Sequence, residues 1–308
     1  MLESVLTSTY DRDNLIGKMG ASKFMGLYGQ QLSKGRGVIG NYDFFIKHQL
    51  ITADIPCLFS MPKEFTQIIK ETKGIATRFA KLQTDKEILE FAKEYGLLGV
   101  LMPSYISPDY GPTVIEPINF WKFYINQIKN LLKLYKMLKK KHKNKKIDII
   151  GELINYKEIT DLAEEKGLDP AELEKLGLGP FEWKNGGSIY FAEEPVSVDH
   201  VDYDYITGVY IFISLIRNGL KGAINPDYAD IVAAKDTEIG FRIKEVSTTN
   251  YLLAAIYYDL LQLFNTDKVV KFCEREGCGN PFIKSGRKKY CCDSCKTQAS
   301  NDRRKHHS

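Results

Sequence analysis

Few features of this sequence suggest export or membrane insertion. The first 272 residues contain one cysteine, and the opening MLESVLTSTYDRDN lacks the basic region and apolar run of a secretory signal. The most apolar segment, residues 205–216, is shorter than the roughly 20 residues that a membrane-spanning helix needs. We therefore expect a cytoplasmic protein with reduced thiols and no membrane partner.

Motifs of catalysis are scarce as well, because no nucleophile motif or phosphate-binding loop is present. One acidic segment, EEPVSVDHVDYDY, contains Asp199, His200, Asp202 and Asp204, which are side chains that can hold a divalent metal for hydrolysis. The same aspartates also suit a polar loop and the start of a helix ahead of Tyr205. An enzyme is therefore the less favoured prediction, with a metal-dependent hydrolase as a third hypothesis.

Five cysteines are concentrated in the segment CEREGCGNPFIKSGRKKYCCDSC. In a reducing compartment such a cluster indicates a shared metal rather than disulfides. Cys273 and Cys278 form the first pair, and the second pair ends at Cys295 and begins at Cys291 or Cys292. Because four thiolates complete a tetrahedron, the spacing predicts one structural zinc ion rather than a catalytic zinc with an open position. Unrelated buried thiols are the alternative.

The residues between the two cysteine pairs predict a very small folded module. Phe282 and Tyr290 can form a miniature core, and we expect two short strands around a turn at Gly286 to bring the pairs together. Burial alone cannot hold so small a module. Metal binding would supply much of its folding free energy, on the order of 10 kcal/mol in comparable peptides.

The positive charge of the chain lies in its C-terminal part. Residues 266–308 hold 11 Lys and Arg against 5 Asp and Glu, whereas the whole chain has a net charge of +4. The residues expected to contact nucleic-acid phosphates are Lys284, Arg287, Lys288, Lys289, Lys296, Arg303, Arg304 and Lys305. A solvated end without any partner is the alternative.

A second basic run, KLYKMLKKKHKNKK at residues 133–146, has eight lysines and no acid. We interpret it as the end of a helix, where positive charges favour the helix dipole. A second phosphate-contacting patch is the alternative.

Two segments have clear helical signals. Residues 84–99 have a capping box formed by Thr84 and Glu87 and a stop at Gly96. Residues 118–138 place apolar side chains at steps of three and four, which predicts a helix with one face toward a core.

Other parts of the chain have weaker signals. The apolar segments 205–220 and 251–264 predict buried helices that lie beside each other. Strand patterns occur near Ser188 and Phe241 and predict small pairs. Residues 1–80 carry no motif that assigns them.

The C-terminal segment resembles the zinc finger of the CGNR type. The residues that carry the resemblance are Cys273, Cys278 with Gly279, Phe282, Arg287 to Lys289, Tyr290 with Cys291, and Cys295 followed by the basic segment KTQASNDRRK. The resemblance implies that the zinc ligands are Cys273, Cys278, Cys291 and Cys295. Cys292 stands where the family usually has serine and is a substitute ligand for Cys291.

The order of a long helical region, a buried helix and then this finger is also similar to another architecture. In it, a CGNR finger follows an ABATE-type domain in proteins assigned as bacterial stress-induced transcription regulators. The similarity covers residues 80–265. It implies a regulatory role and favours DNA over RNA as the partner.

We therefore predict a mainly α N-terminal domain with minor β pairs over residues 1–265. It precedes a small treble-clef or ribbon-like four-cysteine zinc finger with a basic C-terminal helix over residues 266–308. The first functional hypothesis is a zinc-binding, nucleic-acid-binding regulatory protein. The second is a protein-interaction or ligand-sensing protein whose finger is a structural clamp.

Overall fold

The computed structural model describes most of the chain in separate stretches. These are residues 3–10, 15–20, 54–60, 62–70, 74–99, 106–107, 111–112, 114–141, 151–192, 202–220, 224–233, 241–249, 252–266 and 268–305. The chain divides into two compact units, Met1–Ile125 with Gly219–Thr266, and Asn126–Asn218 with Asp267–Ser308. The proposed domain boundary near residue 265 stays a prediction, because a compact unit is not by itself an independently folding domain.

Short groups of strands and helices follow one another along the described stretches. The helices are α1 (Ile75–Phe79), α2 (Asp85–Tyr95), α3 (Ile118–Lys141), α4 (Ile159–Lys166), α5 (Pro170–Glu174), α6 (Tyr203–Leu220), α7 (Leu252–Asn265) and α8 (Asp293–Lys305). The strands are β1 (Glu3–Tyr10), β2 (Leu15–Gly20), β3 (Asp54–Ser60), β4 (Pro62–Lys70), β5 (Ile106–Ser107), β6 (Gly111–Pro112), β7 (Val114–Pro117), β8 (Ile154–Tyr156), β9 (Leu178–Trp183), β10 (Ser188–Ala192), β11 (Ile224–Ala233), β12 (Phe241–Thr249), β13 (Val270–Phe272) and β14 (Pro281–Ile283).

The first unit is organised around a four-stranded sheet in the order β11-β12-β1-β4. Strands β1 and β12 run parallel, with Glu3 opposite Val246, and the other two pairings are antiparallel. Helix α7 contacts β1, β12 and α1. A second sheet has the antiparallel order β2-β3-β7, and β5 pairs with β6.

An aromatic cluster joins the helices of the first unit. Phe79 of α1 lies 5.6 Å from Phe91 of α2 and 5.9 Å from Trp121 of α3, measured between ring centroids. Helix α2 begins at the predicted capping box, since the Thr84 side chain accepts from Glu87 N–H and the Glu87 carboxylate accepts from Thr84 N–H. Local capping thus sets the helix start, and burial of the aromatic rings holds its position.

The second unit contains an antiparallel sheet in the order β10-β9-β8, with α4 and α5 between β8 and β9. The indole of Trp183 is buried and donates to Gln127 Oε1 at 2.7 Å. The Asn185 amide donates to the same oxygen at 2.6 Å. One buried side chain of α3 thereby anchors both strands β9 and β10 at their connecting turn.

The predicted helices are present as α2, α3, α6 and α7, and the strands predicted near Ser188 and Phe241 are β10 and β12. The packing of α6 beside α7 stays a prediction. Helix α6 is only partly buried, because Ile213 on one face is 48% exposed. The predicted fold class is confirmed in its coarse form, because the described secondary structure is mostly helical with small, mainly antiparallel sheets. Some of the strands were not indicated by the sequence. Strand β11 contains Pro226 and two aspartates, which are depleted in strands, so its own residues give little strand signal.

Among the described residues, no helix combines the length and the apolar character that crossing a bilayer would require.

Glu116 is a fully buried acid among the described residues of the first unit, and it suggests a test of the unit's stability. Its carboxylate accepts from Leu98 N–H at 2.9 Å, Gly99 N–H at 2.7 Å and the Trp121 indole at 3.0 Å. We expect Glu116→Ala to lower the free energy of unfolding by about 3 kcal/mol or more, because each orphaned buried donor costs about 1–3 kcal/mol. Urea unfolding followed by tryptophan fluorescence measures the loss.

The matched control is Glu90→Ala. Glu90 is exposed and pairs with Lys93 at 3.3 Å, and such a surface pair contributes less than about 1 kcal/mol. Equal effects of the two variants would contradict the role assigned to Glu116.

Candidate metal centre

A β-hairpin positions the first cysteine pair. Strands β13 and β14 are antiparallel, with Phe272 opposite Pro281, and the turn between them contains Cys273 and Cys278. The turn closes through a hydrogen bond from Cys273 N–H to the Asn280 carbonyl at 2.9 Å. Glycines suit this turn, because residues 277 and 279 have φ angles of 72° and 55°, which side chains rarely adopt.

The strands of the module lie elsewhere than expected. The sequence predicted one strand on each side of a turn at Gly286. The strand before the turn is β14, but no strand follows the turn among residues 287–292. The hairpin instead closes around the first cysteine pair. The expectation failed because several glycines permit a turn in this segment, and the local sequence does not say which of them closes the hairpin.

Helix α8 positions the second cysteine pair. Cys291 lies two residues before the first residue of α8, and Cys295 lies in its first turn. A hydrogen bond from Glu274 N–H to the Lys289 carbonyl, 3.2 Å long, joins the first turn to the segment that leads into Cys291. The hairpin and the helix therefore present their cysteines toward one point.

The four predicted ligands Cys273, Cys278, Cys291 and Cys295 are brought together. Their sulfur atoms all lie within 4.8 Å of one another. The sulfur of Cys291 is 3.8 Å from that of Cys278 and 3.5 Å from that of Cys295, and the Cys295 and Cys278 sulfurs are 3.7 Å apart.

These separations fit a tetrahedral metal ion. A tetrahedron with metal–sulfur bonds of about 2.3 Å has edges of about 3.8 Å. The same separations are far longer than a disulfide bond of about 2.0 Å. The cluster can therefore hold one metal ion, and four thiolates suit zinc or iron.

Burial and hydrogen bonding set the acidity of these thiols. Cys273, Cys278 and Cys295 are buried, whereas Cys291 is half-buried and packs with Tyr290. Burial raises the pKa of Cys295 to about 11. Burial also opposes ionisation of Cys278, but hydrogen bonds from Asn280 N–H and the neighbouring thiols lower the pKa of Cys278 to about 7. A metal ion would have to displace protons from the group, so its binding weakens as the pH falls.

Cys292 lies outside the cluster of four. Its thiol is exposed, and its sulfur is 3.9 Å from that of Cys291. A hydrogen bond from Cys295 N–H is the main cause that lowers the pKa of Cys292. The geometry therefore places Cys291, rather than its neighbour, among the converging sulfurs.

The basic residues predicted to contact phosphates lie on the surface of the same module. Lys284, Arg287, Lys288 and Lys289 follow β14 and are exposed, and Lys296, Arg303 and Arg304 are exposed on α8. Lys305 ends α8, and its side chain lies outside the described part of the chain.

Some of these basic residues also stabilise the module. Lys288 lies 5.9 Å from the centroid of the Phe282 ring, and Lys289 pairs with Glu274 at 3.8 Å. Arg303 donates to the Tyr290 hydroxyl at 2.8 Å. The aromatic pair Phe282 and Tyr290 is thus held partly by basic side chains.

The acidic segment considered for hydrolysis has another role where it is described. Asp202 and Asp204 flank the buried Lys141, with Nζ–Oδ2 distances of 3.3 and 2.7 Å. Burial would lower the pKa of Lys141, but hydrogen bonds and charges from the two aspartates raise it above its usual value. Asp202 also accepts from Tyr205 N–H at 3.2 Å and so begins α6, as expected. Asp199 and His200 lie outside the described residues.

Part of the lysine run at residues 133–146 is structural. Helix α3 continues through Lys141, so the run belongs to the helix end, as the preferred interpretation held. Lys133 pairs with Glu152, and Lys136 lies 5.0 Å from the centroid of the Phe272 ring. Residues 142–146 lie outside the described part of the chain.

No family model, curated protein or solved structure matches this chain. The resemblance to CGNR-type fingers therefore depends on the quoted residues, and it stays a prediction.

Arg275 is a site residue that the sequence interpretation missed. It lies between the first two cysteines, and its Nη1 donates to Gln298 Oε1 of α8 at 2.7 Å. The sequence did contain a signal for this role. Arg275 lies in the turn between Cys273 and Cys278, and a positive side chain there suits a cluster of thiols that becomes anionic when it ionises.

Serine substitutions test the ligand set. We expect wild-type protein and Cys292→Ser to bind one equivalent of Zn²⁺. We expect Cys291→Ser to lose affinity by more than about 100-fold, because replacing a ligand exceeds the 10- to 100-fold effect of outer-shell changes. Chelator competition and elemental analysis measure both. Metal loss in Cys292→Ser with full loading of Cys291→Ser would reverse the assignment.

Proposed function

We propose that the C-terminal module is a structural zinc site that presents a basic surface to nucleic acid. The observation that carries the zinc proposal is the convergence of four cysteine sulfurs at tetrahedral spacing. Four protein thiolates leave no position for a substrate or water, which is typical of structural rather than catalytic zinc. Zinc is the commonest ion in such sites, and it needs no redox partner.

The arrangement of the ligands supports a treble-clef-like module. One ligand pair lies in the turn of a β-hairpin, and the other lies just before and within the first turn of a helix. In this arrangement the metal would join the hairpin to the helix. Helix α8 would therefore hold its place only while the metal is bound.

The charge of the module supports a polyanionic partner. Four thiolates with one Zn²⁺ carry a formal charge of −2, so the surplus of +6 in residues 266–308 becomes about +4. Among the described residues, Lys284, Arg287 and Lys296 make no side-chain ion pair, which leaves them available for phosphates. Duplex DNA and a regulatory role are the specific forms of this proposal that the resemblance favours.

A charge variant tests the nucleic-acid proposal. We expect zinc-loaded full-length protein to bind labelled duplex DNA more tightly than single-stranded RNA, with affinity that falls steeply as salt rises. We expect the triple variant Lys284→Gln, Arg287→Gln and Lys296→Gln to weaken binding. Its slope of log affinity against log salt should fall by about 2 to 3, because each phosphate contact contributes about 0.9.

The matched control removes three exposed charges from other parts of the chain, by Lys86→Gln, Lys175→Gln and Arg217→Gln. It should bind as the wild type does. Absence of binding to either nucleic acid, or equal losses in the two triple variants, would contradict the proposed contact surface. Tighter binding to RNA would keep the surface and change the partner.

A structural clamp is a second candidate function, supported by contacts between α3 and β13. Lys136 lies over the Phe272 ring, and the Tyr135 hydroxyl is 3.4 Å from the Lys268 carbonyl, to which it donates. Burial and then the charges of Lys140 and Lys271 lower the pKa of Lys136, so this contact is made despite local repulsion. The strand that leads into Cys273 is therefore packed on the helix.

Hydrogen exchange with and without zinc distinguishes the two roles. If the module is a clamp, chelation should raise amide exchange in α3 as well as in residues 268–305, because the packed strand is released. If the module is independent, faster exchange should stay within residues 268–305. Unchanged exchange in both regions would mean that zinc does not stabilise the fold.

A further inference from the structure

Arg275 combines three features that no role in the fold explains by itself. It occupies the turn between Cys273 and Cys278, where its carbonyl accepts from Cys278 N–H at 3.1 Å. Its guanidinium reaches α8 through the hydrogen bond to Gln298. Its Nε atom is buried and has no hydrogen-bond partner among the described residues.

We propose that Arg275 is a positioning residue of the metal centre, one that donates to the ligand sulfurs and fixes the hairpin turn to α8. This inference rests on the proposed zinc site. The geometry supports this role, because Arg275 lies in the turn between two of the converging cysteines, its guanidinium reaches α8, and its buried Nε–H has no partner among the described residues.

The buried Nε–H gains an acceptor when the centre is loaded. A neutral thiol is a weak acceptor, whereas a thiolate is anionic and accepts charge-assisted hydrogen bonds. Buried donors without a partner are rare in folded proteins, and each calls for an explanation. The thiolates that form when a metal binds would explain this unpaired Nε–H, because they would supply its missing acceptor.

The charge of Arg275 also matches the charge of the centre. A zinc ion with four thiolates has a formal charge of −2, so a neighbouring guanidinium favours the loaded state over the empty one. The remaining basic residues of the module that have described contacts point toward aromatic rings, Glu274 or the surface.

The shape of the guanidinium explains why arginine suits this position better than lysine. Its planar fork offers several donors in fixed directions, so one side chain can serve Gln298 and a sulfur at once. Through this link the first ligand pair and the helix with Cys295 are held in one orientation. A lysine would supply the charge but not both directions.

Two substitutions distinguish the effect of the positive charge of Arg275 from the effect of its planar guanidinium group. We expect Arg275→Gln to lower Zn²⁺ affinity by roughly 10- to 100-fold, the range found for outer-shell partners. Arg275→Lys should recover part of that loss. Arg217→Gln removes one exposed positive charge on α6 and should bind Zn²⁺ as the wild type does. Chelator competition on the full-length protein gives all four affinities.

Cobalt spectroscopy gives a readout that a merely structural role would not move. Donation to a thiolate lowers the electron density that the sulfur gives to the metal. In Co²⁺-loaded Arg275→Gln, the sulfur-to-cobalt charge-transfer band should therefore shift to lower energy than in wild-type protein. Arg275→Lys should lie between the two.

The outcomes separate this inference from the zinc proposal. If wild-type protein binds no Zn²⁺, the proposed site itself fails. If wild-type protein binds Zn²⁺ and Arg275→Gln matches it in affinity and band position, only the role of Arg275 is overturned. Failure of Arg275→Lys to load better than Arg275→Gln would also overturn it, because the charge would then not contribute.

Discussion

The convergence of four cysteine sulfurs on one point is the constraint on which the C-terminal module depends. Apart from the cysteines, the buried side chains of residues 268–305 are Val270, Pro281 and Phe282. Burial of each contributes about 2 kcal/mol. Ordering a backbone costs about 1–2 kcal/mol for every residue, so these three side chains cannot hold the module. The proposed metal–thiolate bonds would supply a free energy that is large enough.

The positive residues of the module divide into two groups by their contacts. Those near the cysteines or the aromatic rings serve the fold, as Arg275 does at Gln298 and Arg303 does at Tyr290. Those that extend into solvent, such as Lys284 and Lys296, add to the field around the module. The total charge of a segment therefore overstates what a partner can contact.

Local patterns in the sequence were sufficient for the features that local chemistry determines. The capping box at Thr84 and the spacing of the four cysteines both appeared where the sequence placed them. The parallel pairing of β1 with β12 was not predictable, because Glu3 and Val246 are far apart in the chain. Lys141 gave the aspartates near α6 a structural partner, and no pattern within the acidic segment could have indicated it.

Strand β13 makes the metal centre and helix α3 physically dependent on each other. Phe272 contacts Lys136 through its ring, and Cys273, one of the four converging cysteines, follows Phe272 directly. The position of the Phe272 ring therefore depends on the position of Cys273. Strand β13 is therefore the direct covalent and packing connection between the converging cysteines and α3. The exposed basic residues follow β14 or lie on α8, whereas the contact with α3 is made by Phe272 of β13. The proposed nucleic-acid surface and the proposed clamp contact therefore use different residues of the module.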